Sequence, residues 1–94
     1  MRKPPFKIVG YTHATYRRDG KFIVAGRTSF VWERLVMAIA SGIGGVHEIR
    51  RREGPWHTIT MSVEEAEAAL NPKGDFFGQR RVARARAFRA RRAD

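Results

Sequence analysis

The tetrapeptide Arg18-Asp19-Gly20-Lys21 restricts the fold of this chain more than any other segment. Asp-Gly is the pair favoured by a two-residue type I′ turn, in which both central residues need positive φ. The flanking residues are rich in β-branched and aromatic types, so Phe6 to Tyr16 and Lys21 to Arg27 read as the strands of an antiparallel hairpin. From Thr28-Ser29, either of which can cap a helix N-terminus, the hydrophobic period changes. Val31, Trp32, Leu35, Val36 and Ile39 fall within an arc of about 140° at 100° per residue, opposite Glu33, which predicts an amphipathic helix and names its core face. Gly42, Gly44 and Gly45 end it, because glycine readily takes the left-handed conformation found at helix C-termini.

A second hairpin follows, with Val46 to Arg52 and Trp56 to Met61 as strands around Glu53-Gly54-Pro55. A three-residue loop there would set Ile49 opposite Ile59 and His47 opposite Met61, all four facing the core. Ser62-Val63-Glu64-Glu65 has the pattern of a capping box and opens a short acidic helix to Leu70, stopped by Asn71-Pro72. After Lys73-Gly74, Asp75 caps a last helix from Phe76 to about Arg92, within which Gly78 is unfavourable by about 1 kcal/mol. The expected architecture is α+β: two antiparallel β-hairpins with a packed amphipathic helix, ββαββα, plus a basic C-terminal helix. Residues 1–72 would form the core domain and 73–94 a basic Arg/Ala-rich helix or tail.

Ninety-four residues allow one modest core, and 43% hydrophobic residues are enough to build it. The absence of cysteine excludes disulfides and thiolate zinc sites. Apolar runs are short and broken by charge, far below the roughly 20 residues of a membrane-spanning helix, and no signal core follows the N-terminus, so the expected address is cytoplasmic with no membrane partner.

Charge indicates the partner class. Nineteen Lys and Arg against nine Asp and Glu give a formal net charge of +10, and the excess is concentrated late in the chain. Residues 1–70 hold 11 basic and 7 acidic groups, whereas residues 71–94 hold 8 and 2. Such a surface attracts polyanions. On a helical projection of the last segment, Arg80, Arg81, Arg84, Arg91 and Arg92 lie within about 60° of Phe77, and Phe88 lies near its centre. Guanidinium groups pair with phosphates and phenyl rings stack on unpaired bases, so this face suits nucleic acid. The alternative is that both Phe dock on the core while the arginines snorkel around them. Val82, Ala83, Ala87, Ala90 and Ala93 form the other side, a small-residue surface able to lie against the domain or a partner.

The sheet offers a second surface. If Phe6, Ile8, Ala14, Ile23 and Ala25 face the first helix, alternation sends Lys7, Tyr11, His13, Thr15, Arg17 and Phe22 outward, joined by Arg50, Arg52, Trp56 and Thr58. Basic residues interleaved with aromatics make a stacking platform for single strands. A bulge at Gly10 would instead reverse the facing and take Tyr11, Phe22 and Trp56 into the core. Catalytic patterns are weak: His13, His47 and His57 lack metal-type spacing, the acids cluster on one short helix, and no phosphate-binding glycine loop opens a helix. No cofactor is implied. The surviving enzymatic alternative is a metal-independent, toxin-like ribonuclease using His57 or His13 with arginines.

The stretch Tyr16-Arg17-Arg18-Asp19-Gly20-Lys21-Phe22-Ile23-Val24-Ala25-Gly26-Arg27, followed by one helix, a glycine break and another hairpin, resembles the ββαββ pattern of some small phage anti-CRISPR proteins over residues 6–61. That resemblance implies an inhibitor that docks on a CRISPR effector ribonucleoprotein or competes for its nucleic acid. The arginine-rich tail is not part of the pattern, and no site residue carries over. The leading expectation is a non-enzymatic protein, of phage or mobile-element type, that binds nucleic acid or a ribonucleoprotein. A protein-directed inhibitor and the ribonuclease stand behind it.

Overall fold

The computed structural model describes residues 12–92 and has an α+β fold, with a four-stranded antiparallel sheet and three helices. The strands are β1 (His13–Arg18), β2 (Lys21–Arg27), β3 (His47–Arg51) and β4 (His57–Thr58), in the order β2-β1-β3-β4. The helices are α1 (Thr28–Ala40), α2 (Val63–Leu70) and α3 (Phe76–Arg92). The chain makes two compact units, and α1 runs from one into the other. Within the described residues one unit holds 12–35 and 45–60, and the second holds 36–44 and 61–92.

In the sheet unit the Asp-Gly turn forms as expected, with φ of 53° at Asp19 and 79° at Gly20. Asp19 also does something a turn residue need not do: its amide donates to Val46 O (2.9 Å), and its carboxylate accepts from the Val46 amide (2.8 Å). These bonds tie the turn to the segment entering β3. The facing of β2 differs from expectation. Tyr16 opposes Val24 but Arg17 opposes Phe22, which leaves Ile23 as the extra residue of a bulge. A one-residue slip moves every later side chain to the other face. Ile23 is therefore 47% exposed and Ala25 is exposed, while Val24 and Gly26 stand opposite buried Tyr16 and Ala14. Residues 1–11, including Phe6, Lys7, Ile8, Gly10 and Tyr11, lie outside the described residues.

The second hairpin is also shifted. Glu48 pairs with Thr58 and Ile49 with His57, so the loop runs from Arg52 to Trp56 and Ile49 does not oppose Ile59. The shift is by an even number of positions, which preserves facing. Ile49, Ile59 and His47 are accordingly buried and Met61 is half-buried. Val31, Trp32 and Leu35 of α1 are buried in this unit too, as are Thr28 and Thr15, the latter although it was expected on the outward face. The Tyr16 hydroxyl and His47 Nδ1 share a 2.6 Å hydrogen bond, satisfying two polar groups within the core. Burial pushes the Tyr16 phenol above its ordinary pKa.

In the helical unit, α1 ends in a Schellman motif: the Ile43 amide donates to Ala38 O and the Gly42 amide to Ile39 O, both at 3.0 Å, with Gly42 at φ 74°. The capping box at α2 is complete, the Glu65 amide donating to Ser62 Oγ and the Ser62 amide to Glu65 Oε1. Asp75 Oδ1 accepts from the Gly78 amide (2.9 Å) and so caps α3. Val36, Ile39, Ala40, Ala66, Ala69, Leu70 and Ala85 are buried in this unit.

Candidate functional site

The surface with the clearest chemistry is on α3, whose 17 residues include seven arginines and no acid. The helix is oriented by close packing and by three of those arginines. Gly78 and Ala85, seven residues apart on one side, are buried. At Gly78 a Cβ would meet Asn71, the C-cap of α2, with Asn71 Cγ at 2.7 Å and Cα at 2.9 Å, so only glycine permits this approach. Arg81 Nε donates to Leu70 O (3.1 Å), a carbonyl at the end of α2. Arg89 donates to Ala40 O (2.6 Å) at the end of α1, and Gly42 leaves room for its aliphatic stem. These donors satisfy carbonyls left over where a helix stops, where positive charge also complements the helix dipole. Glu67 of α2 then holds Arg86 Nε at 2.8 Å and both terminal nitrogens of Arg89 at 3.3 Å. The Arg86 hydrogen bond in particular draws the Glu67 carboxyl below its ordinary pKa.

The remaining four, Arg80, Arg84, Arg91 and Arg92, are exposed, and none has a carboxylate partner among the described residues. Arg80 lies over the Phe76 ring at 5.6 Å, and Arg91 and Arg92 lie over Phe88 at 5.9 and 5.8 Å. Phe77 is 67% exposed, whereas Phe88 is half-buried. Arg81, expected on the binding face, is half-buried and engaged with α2. The small-residue surface is largely turned the other way from one of its expected roles: Ala83, Ala87 and Ala90 are exposed, Val82 is half-buried, Ala93 lies outside the described residues, and the docked stripe consists of Gly78, Arg81, Ala85 and Arg89. A helical projection with arginine on every side cannot choose between these faces. The available signals were the Gly78/Ala85 spacing and Glu67, the acid of α2 that lies beyond its first turn.

On the sheet, Thr15, Arg17 and Phe22 share the face opposite Tyr16, as their cross-strand pairing requires, and Arg50 joins them as the partner of Thr15. Phe22 is 66% exposed. Trp56 is not an open stacking surface, because the Arg17 guanidinium lies 3.9 Å and that of Arg50 4.7 Å from its ring centroid. Glu48 binds Arg17 through two hydrogen bonds of 2.7 and 3.1 Å, and this pairing lowers the Glu48 pKa. Arg50 Nε is buried with no partner among the described residues. Arg52 is exposed in the turn after β3. In this cluster Glu48 neutralises Arg17 and the Trp56 ring is covered, whereas α3 contains no acid and leaves four of its arginines exposed with no carboxylate partner among the described residues.

Among the described residues no three His, Asp or Glu side chains group to hold a metal ion, and no helix is long and apolar enough to cross a membrane. No protein-family model matches the chain, and no curated protein or solved structure matches it.

Proposed function

We propose that this protein binds nucleic acid, with the exposed arginines of α3 as its contact surface and without catalysing a reaction. One observation carries the reading: of seven arginines on a helix free of acids, Arg81, Arg86 and Arg89 anchor the helix, while Arg80, Arg84, Arg91 and Arg92 remain exposed and unneutralised. Guanidinium groups held at fixed positions match phosphate oxygens in charge and geometry. Affinity from such contacts comes largely from counterion release and weakens steeply with salt.

The test is the quadruple variant Arg80→Gln, Arg84→Gln, Arg91→Gln, Arg92→Gln, which touches none of the anchoring bonds. Its melting curve should match that of the parent. Binding to a labelled oligonucleotide should weaken, and the dependence of log K on log salt should flatten by about 0.7–0.9 per lost phosphate contact. A folded variant with parental affinity and salt slope would refute the reading.

A second reading, an inhibitor of a CRISPR effector complex as the anti-CRISPR resemblance implies, draws on the 66% exposure of Phe22 and 47% exposure of Ile23 on the outer strand β2. Exposed apolar side chains on a sheet edge suit a protein partner. Capture of a purified effector complex that persists at high salt and after nuclease treatment would favour this reading over the first.

A further inference from the structure

Along α3 beyond Gln79, the side turned away from the docked stripe carries only two kinds of residue. Arg80, Arg84 and Arg91 form one row, and Ala83, Ala87 and Ala90, all exposed, form the adjacent row. On a projection at about 100° per residue, Ala87 falls between the two rows beside Arg80 and Arg91. No free aromatic ring accompanies them there: Phe88 is half-buried with two guanidinium groups over it, and the exposed rings of Phe76 and Phe77 belong to the first turn, before Gln79.

Single-strand recognition depends on open rings that stack on unpaired bases, and this part of α3 offers none. What it offers is a slim positive rod. The stretch from Arg80 to Arg92 spans about 20 Å, and a helix with side chains is about 10–12 Å across, which fits the major groove of B-form DNA at about 12 Å. Alanine on the leading side keeps the helix near the narrow end of that range, and its methyl group makes apolar contact with thymine methyls. Arginine reaches guanine O6 and N7 or the flanking phosphates. The A-form major groove of duplex RNA is too deep and narrow for the same approach.

We infer that the partner is duplex DNA and that α3 enters its major groove, with the Arg80, Arg84 and Arg91 row supplying the charged contacts and the alanine row permitting close approach. The inference rests on the nucleic-acid reading above and narrows it. Three labelled probes test it: a mixed-sequence DNA duplex, its separated strands, and the RNA duplex of the same sequence. The DNA duplex should bind most tightly, and saturating protein should protect its guanine N7 atoms, which lie in the major groove, from methylation by dimethyl sulfate. Ala87→Leu, an exposed and helix-compatible change, should leave the melting curve in place while lowering DNA-duplex affinity by about ten-fold or more, as expected for losing a groove contact. Duplex binding with unprotected N7 atoms, parental affinity in a folded Ala87→Leu variant, or preference for the strands or the RNA duplex would each overturn groove insertion and leave nucleic-acid binding intact. Failure to bind any of the three probes would remove both readings together.

Discussion

Gly78→Ala sets two effects of opposite sign against each other. Gly78 lies in the first turn of α3, and in an exposed helix the change would stabilise by about 1 kcal/mol, because alanine loses less backbone entropy. Here Gly78 is buried, and the added Cβ would fall 2.7 Å from Asn71 Cγ and 2.9 Å from Asn71 Cα. The Asn71 side chain can swing aside, but its backbone is fixed as the C-cap of α2, with its amide bonded to Ala68 O at 3.2 Å. Overpacking against fixed atoms costs about 1–3 kcal/mol, so the clash exceeds the propensity gain. A net loss of ~1 kcal/mol lowers the melting temperature by about 4–8 °C for a domain of this size. Thermal melts by far-ultraviolet circular dichroism measure it. In the Gly78→Ala background, Asn71→Ala should restore part of the loss, since it relieves the side-chain clash and leaves the backbone one in place. An unchanged or higher melting temperature for Gly78→Ala would show that α3 does not approach α2 closely at this point.

Gly20→Val meets no neighbour within 4 Å of its Cβ, so its effect isolates backbone strain at φ 79°. It should destabilise by at least about 1–2 kcal/mol, read from denaturant midpoints, and a neutral result would contradict the type I′ turn. Glu67 supplies a pH dependence: its folded pKa is depressed, chiefly by the Arg86 hydrogen bond, so its contribution is present above the unfolded carboxylate pKa and is lost as pH falls through the folded one. Stability should therefore decline below about pH 4.5, and Glu67→Gln should flatten that decline while lowering stability near neutral pH. Parallel parent and variant curves across the acid range would assign the decline to other groups.

Much of the fold was legible because local chemistry and tertiary packing agree. Asp19-Gly20 forms the turn its residue types favour, the five predicted apolar residues of α1 are all buried, and Ser62 and Asp75 cap the helices they precede. The facing of β2 was not legible, because Lys21–Arg27 offers a plausible apolar set in either register: Ile23 with Ala25, or Val24 with Gly26. A bulge at Ile23 decides between them, and a bulge inserted into an apolar strand has no residue signature of its own. On α3 the composition announced the charge but concealed its division. Arg81 and Arg84 look equivalent on a projection, yet one lies beside the Leu70 carbonyl and the other is exposed with no carboxylate to hold it among the described residues.

That division bears on how the helix works. An isolated Arg/Ala segment of 17 residues suffers mutual repulsion among seven like charges and is only marginally helical in water. In this chain the Glu67 carboxylate offsets part of that repulsion, and the Ala40 and Leu70 carbonyls fix the rotation of α3 about its axis. The entropy of ordering the helix is thus lost during folding, not when a ligand binds, which would favour the proposed contact of the exposed arginines with phosphates. Arginine suits both duties because its planar fork can donate to a carbonyl oxygen as readily as to a phosphate. The anchoring residues and those proposed to contact nucleic acid are therefore chemically alike and separable only by position, which is why neutralising Arg80, Arg84, Arg91 and Arg92 tests the proposed binding, whereas neutralising Arg81, Arg86 and Arg89 would first loosen the helix that carries them.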